Sequence, residues 1–178
     1  MTDPLFFDTD CISAFLWVDE QCVLSTLYPT RIRIPRQTYE ELCVPTIPHL
    51  KSRIDQLVST GQAQIVDIPS DSEAYSLYYQ MTVSPKNGHI IIGKGEAACL
   101  ALAKTQNGII ASNNLRDINR YVKELNINHI TTSDIMIEAY QKGIIDEEQG
   151  NIIWANMLKR RRKLGYNSFS ECLKQKQQ

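Results

Sequence analysis

Residues 93–117 run Gly93-Lys-Gly-Glu96-Ala-Ala-Cys-Leu-Ala-Leu-Ala-Lys-Thr-Gln-Asn-Gly108-Ile-Ile-Ala111-Ser112-Asn-Asn114-Leu-Arg-Asp117. Alanine and leucine dominate Gly95–Lys104, which predicts a strong helix. Gly108–Ala111 is too short and too apolar for a surface helix and predicts a buried strand. Helical period resumes at Leu115–Leu125. An acid, Glu96, sits in the first turn of the leading helix beside Gly93 and Gly95. Two glycines there let backbones approach closely. A second acid, Asp117, follows the strand.

The same alternation extends in both directions. Upstream, Pro4–Asp8 predicts a first buried strand ending in an acid, with Thr9 or Asp10 capping a helix that carries Ile12, Phe15, Leu16 and Val18. A helix is predicted over Glu20–Leu27, a strand over Arg31–Ile34, and a helix starting at Pro35 and running to about Cys43. His49–Ser59 predicts a helix closed by Gly61, Ala63–Ile68 a strand, and Ser70–Met81 a helix. Val83–Ile92 reads as a loop. Downstream, His129–Thr131 predicts a fifth strand, followed by helices Ser133–Lys142 and Glu147–Lys163. Strands alternating with helices imply a parallel sheet covered on both faces. In such sheets ligands bind beyond the carboxyl ends of the strands, at a switch point.

Asp8, Glu41, Glu96 and Asp117 each have a plain structural explanation: helix cap, exposed helix face, dipole partner, first-turn acid. Their placement near strand ends and helix starts gives them a second one, since Asp8 and the segment Ser112–Asp117 would face one crevice if their strands were neighbours. Carboxylates gathered together repel unless a cation joins them. Hard oxygen donors with few histidines favour Mg²⁺ or Mn²⁺ over zinc.

Composition sets the frame. The 178 residues, 43% hydrophobic and 22% charged, are those of an ordinary globular protein. One domain is expected over 1–178, with 146–178 a helical, basic extension. The five cysteines, Cys11, Cys22, Cys43, Cys99 and Cys172, contain no Cys-x-x-Cys pair, so free thiols are expected rather than zinc or a disulfide frame. No apolar run approaches the ~20 residues of a membrane span. The amino terminus lacks a basic leader, so the cytoplasm is expected. Net charge is −1, but residues 151–178 hold seven Lys and Arg against one acid, while the rest holds 12 against 19. The run Lys159-Arg160-Arg161-Arg162-Lys163 is either the solvated end of a helix or a contact for phosphates, with Arg160 and Arg161 the leading candidates. Trp154, Met157 and Leu158 fall at packing spacing. His49, His89 and His129 read as loop or surface residues. Neither a phosphate-binding Gly-x-x-x-x-Gly-Lys loop nor a Gly-x-Ser-x-Gly elbow is present.

Four blocks, in order, resemble the PIN-domain family: Phe-Phe-Asp8-Thr-Asp, Ile-Pro-Arg-Gln-Thr-Tyr-Glu-Glu41-Leu, Gly93-Lys-Gly-Glu96-Ala-Ala and Ile-Ala-Ser112-Asn-Asn114-Leu-Arg-Asp117. In the second block Glu40 competes with Glu41. The resemblance implies a three-layer α/β/α sandwich with a parallel sheet of order 3-2-1-4-5. It implies a Mg²⁺- or Mn²⁺-dependent ribonuclease, with Asp8, Glu96 and Asp117 holding the metal and Glu41 assisting. Ser112 would position substrate or a ligand. RNA is the implied partner. Many such proteins are toxins paired with an antitoxin protein, and homodimers are common among them. Asn114 stands where the family commonly has a third aspartate. Its amide oxygen remains a candidate metal ligand, but the lost charge admits a weakened or inactive protein that only binds RNA or a partner.

Overall fold

The computed structural model describes residues 3–86 and 89–176. Its sheet comprises β1 (Leu5–Phe7), β2 (Ile32–Pro35), β3 (Ala63–Val66), β4 (Ile109–Ala111) and β5 (Asn128–Ile130). All pairings are parallel and the order is β3-β2-β1-β4-β5, as the resemblance implies. β1 lies in the middle, and every residue of it is buried. Strand side chains alternate between faces. Leu5 and Phe7 join one apolar core and Phe6 the other, so this three-residue strand anchors both sides of the sandwich.

The first core receives α1 (Thr9–Val18), α2 (Gln21–Leu27), α4 (Pro48–Ser59), α8 (Thr132–Gln141), α9 (Glu147–Lys159) and α10 (Phe169–Lys176). The second receives α5 (Glu73–Thr82), α6 (Lys94–Thr105) and α7 (Leu115–Leu125). α3 (Arg36–Leu42) links the two sides: Leu42 packs into the first core, and buried Thr38 meets Cys99 of α6. The small side chains of α6, all buried from Ala97 to Ala103, let that helix sit close over the sheet.

Several boundaries move. Asp8, not Thr9 or Asp10, caps α1, its carboxylate accepting the Thr9 N–H at 2.7 Å. Pro35 ends β2 and caps α3 rather than opening the helix. β3 stops at Val66 and α5 starts at Glu73. The predicted loop 83–92 has no regular structure where described; Asn87 and Gly88 lie outside the described residues. The largest correction is at the carboxyl end. α9 stops at Lys159 instead of Lys163, because the chain turns back on itself: Arg162 N–H donates to the Met157 carbonyl at 3.1 Å and Arg161 N–H to that of Leu158 at 2.8 Å. This is a Schellman turn, with Arg161 in the left-handed conformation (φ 58°) usually taken by glycine. α10, absent from the sequence reading, then returns to cover α9. Phe169 packs on Trp154 and over Gly150, and Trp154 Nε1 donates to the Tyr166 carbonyl at 3.1 Å. All five cysteines are unpaired. Among the described residues, no helix is long and apolar enough to cross a membrane.

Candidate active site

The register places the site. β1 pairs with β4 residue by residue up to Phe7 and Ala111, so the next residues, Asp8 and Ser112, emerge side by side beyond the carboxyl ends. This is the switch point, with β2 leaving on one side of β1 and β4 on the other. Asp8 is only 4% exposed. Its Oδ2 accepts the buried Ser112 hydroxyl at 2.9 Å, and that hydroxyl oxygen in turn accepts the Asn114 N–H at 3.2 Å. His129 of β5 holds the Ser112 carbonyl through Nε2 at 2.7 Å, so it supports the site rather than lying free on the surface.

A cleft of about 800 Å³ opens here, lined by Asp8, Asp10, Glu41, Glu96, Asn114 and Asp117 among others. The four acids singled out in the sequence therefore share one cavity, although they come from the junction of β1 with α1 and from α3, α6 and α7. Glu41 lines it and Glu40 does not, which settles the geometric choice between them. Thr9 donates its hydroxyl to Glu41. A Cβ on Gly95 would stand 3.2 Å from both Glu41 carboxylate oxygens and 3.3 Å from Asp8 Oδ1. The bare glycine thus leaves a cradle on which two acids converge. Glu96 divides its oxygens: Oε2 accepts the Gly93 N–H at 3.0 Å, and Oε1 accepts from Asn114 Nδ2. The same Asn114 nitrogen donates to Asp117 Oδ2 at 2.8 Å.

Asn114 therefore faces the acids with its nitrogen, whereas its expected part used the amide oxygen. The reason is electrostatic: between two carboxylates an N–H donor is attracted and a carbonyl repelled. Asp10, read from sequence only as a cap, is a further acid of the cleft, fixed by the Asn113 N–H at 3.1 and 3.2 Å.

Burial, more than crowding, shifts these carboxyls. Burial, then the charges of Asp10 and Glu96, push Asp8 well above the usual carboxylate range, against the pull of Ser112 and Thr9. Burial also raises Asp10 and Glu96. As the side chains stand, no three His, Cys, Asp or Glu among the described residues are grouped tightly enough to hold a metal ion. Their chemistry nevertheless fits one. The donors are hard oxygens, they are short of counter-charge, and the Gly95 cradle keeps the space between Asp8 and Glu41 open.

Cations also line the cleft: Arg116 at the start of α7, and Arg161, Arg162 and Lys163 after α9. Arg162 reaches the Ser13 hydroxyl at 3.3 Å and lends its charge to Asp10. Arg161 thus reaches the cleft, but Arg160 does not. Its guanidinium lies 5.5 Å over the Trp17 ring, outside the acidic cavity. Arg116 escaped the sequence reading, and only its position one residue before Asp117 marked it.

An α/β sheet of this order with its cleft beyond the carboxyl ends is PIN-like in architecture. A family model described as PIN domain matches residues 5–178, and the chain belongs to that family, whose members are generally nucleases and typically use divalent metal ions. No curated protein matches the chain.

Proposed function

We propose that this chain is a Mg²⁺- or Mn²⁺-dependent endoribonuclease working as one domain, with residues 146–178 as its basic extension. The observation that supports this reading is the convergence of Asp8, Glu41, Glu96 and Asp117 on one cleft walled by Arg116, Arg161 and Lys163. When bound, a divalent ion supplies an activated water and a counter-charge for phosphoryl oxygens; Asp8, Glu96 and Asp117 are the side chains that would hold it, with Glu41 assisting. Ser112 orients the Asp8 carboxylate, and Thr9 orients Glu41. Arg116, Arg161 and Lys163 bind the phosphates flanking the scissile one, and Arg162 is an internal strut. A toxin paired with an antitoxin would use the same cleft, the antitoxin being its protein partner.

The test is cleavage of single-stranded and hairpin RNA in Mn²⁺, with EDTA and Glu96→Gln as controls. Cleavage that EDTA stops and Glu96→Gln slows about 100-fold is the expected result. Equal rates in EDTA or in the variant would sink the assignment. The Asn114 bridge favours a second reading, an RNA- or partner-binding PIN protein without hydrolysis. Asn114→Asp separates the two. It replaces two hydrogen bonds to charged acceptors, each worth about 1.5–3 kcal/mol, by a third negative charge. The metal-free variant should melt earlier than the parent, yet take up Mn²⁺ about tenfold more tightly by calorimetry. Unchanged Mn²⁺ affinity would remove Asn114 from any part in metal uptake.

A further inference from the structure

The Schellman turn after α9 sends the basic run to two places, and the second has no part in the cleft. Arg161, Arg162 and Lys163 face the acids. Lys159 and Arg160 instead line a separate cavity of about 550 Å³ together with Trp17, Asp19, Arg53 and Asn156. Three cations stand there against one acid. Arg53 is tied to Asp19 at 2.9 Å, and Arg160 stacks over the partly exposed Trp17 ring. Asp10, Ser13 and Trp17 follow one another on α1 at helical spacing, so one helix face runs from the acidic cleft into this cavity. At 1.5 Å per residue, Asp10 and Trp17 are about 10 Å apart along the axis. One strand of nucleic acid advances about 3.4 Å per nucleotide when stacked, so the span matches roughly three nucleotides.

An aromatic face among cations and an amide is the equipment that holds a single-stranded base and its phosphates without sequence preference. We infer that the Trp17 cavity is an accessory nucleotide subsite: a base about three positions from the phosphate in the cleft displaces Arg160 and stacks on Trp17, while Arg160 and Lys159 turn to the backbone. This rests on the proposed RNA reading of the cleft and adds a site to it.

Trp17 reports on itself. The chain has two tryptophans, and Trp154 is fully buried. A 12-nucleotide oligouridine is titrated in EDTA, so that it stays intact, reading both tryptophan emission and anisotropy of a labelled strand. Binding should quench the emission. Arg160→Gln and Trp17→Leu should each weaken binding about tenfold, while Trp17→Phe, which keeps a stacking ring, should stay within about twofold of the parent. Circular dichroism confirms that each variant is folded. Salt-sensitive binding with unchanged emission, and with Trp17→Leu and Arg160→Gln as tight as the parent, overturns the subsite and leaves the cleft reading standing. No binding of the strand by the parent chain overturns the subsite, whereas the cleft reading stands or falls on the EDTA-sensitive cleavage in Mn²⁺.

Discussion

Asp8→Asn is expected to lower metal-dependent RNA cleavage by about 10²–10³-fold or more while making the metal-free protein more stable at neutral pH. Both effects have one cause. Asp8 is a nearly buried carboxylate beside Asp10 and Glu96, with its pKa raised in the folded chain. A raised acid means that the folded state binds more protons than the unfolded one. Stability is then highest below the unfolded carboxylate value, about 3.9, and falls as pH rises toward the folded value. Asparagine has the same shape and carries no charge; its amide oxygen can keep the Thr9 N–H bond, and its Nδ2, in place of the second carboxylate oxygen, can donate to the Ser112 hydroxyl oxygen. The variant should melt higher than the parent in EDTA at pH 7, with the gap closing toward pH 4. A purely structural role for Asp8 would give a lower melting temperature and an unaltered rate. Full activity in Asp8→Asn would discard the catalytic assignment.

The second large effect is Gly150→Ala. A Cβ at this position would stand 2.2 and 2.4 Å from the ring carbons of Phe169, far inside contact distance. The ring has neighbours to hold it in place, because Trp154 and Tyr140 also pack on it. Overpacking costs about 1–3 kcal/mol where the neighbour shifts, and losing a buried Phe costs about 3–5 kcal/mol. We expect roughly 3 kcal/mol, or about 6–12 °C in melting temperature for a chain of this size. α10 should exchange its amide protons early while the strands stay protected. An alanine variant as stable as the parent would show that α10 is not held by this contact.

The sheet was legible because its strands are short and separated by helices, and because the two central ones, β1 and β4, are fully apolar, as strands covered on both faces must be. The order of the strands was not in that pattern and came from the four-block resemblance. Legibility failed where one residue type contradicts its conformation. Arg161 sits where glycine marks most helix ends, so the stop at Lys159 was hidden, and eight-residue α10 carries too few turns to announce itself. At the site, Asp8, Glu41, Glu96 and Asp117 could be singled out because each lies at or near the end of an element. Glu41 could have been preferred over Glu40 by helical phase, since it follows buried Thr38 by three residues and adjoins buried Leu42. The bridge from Asn114 to Glu96 and Asp117, and the reach of Arg162 to Ser13 across 149 residues, are tertiary facts that no local spacing encodes.

The left-handed residue at the end of α9 sets two selective pressures against each other. Holding a non-glycine side chain there costs about 1–2 kcal/mol, which glycine would recover at once. Glycine would also leave the rim of the acidic cavity one cation poorer. Lineages driven mainly toward heat tolerance should therefore drift to glycine at 161, while those driven toward tight nucleic-acid capture should keep arginine and tolerate the softer fold.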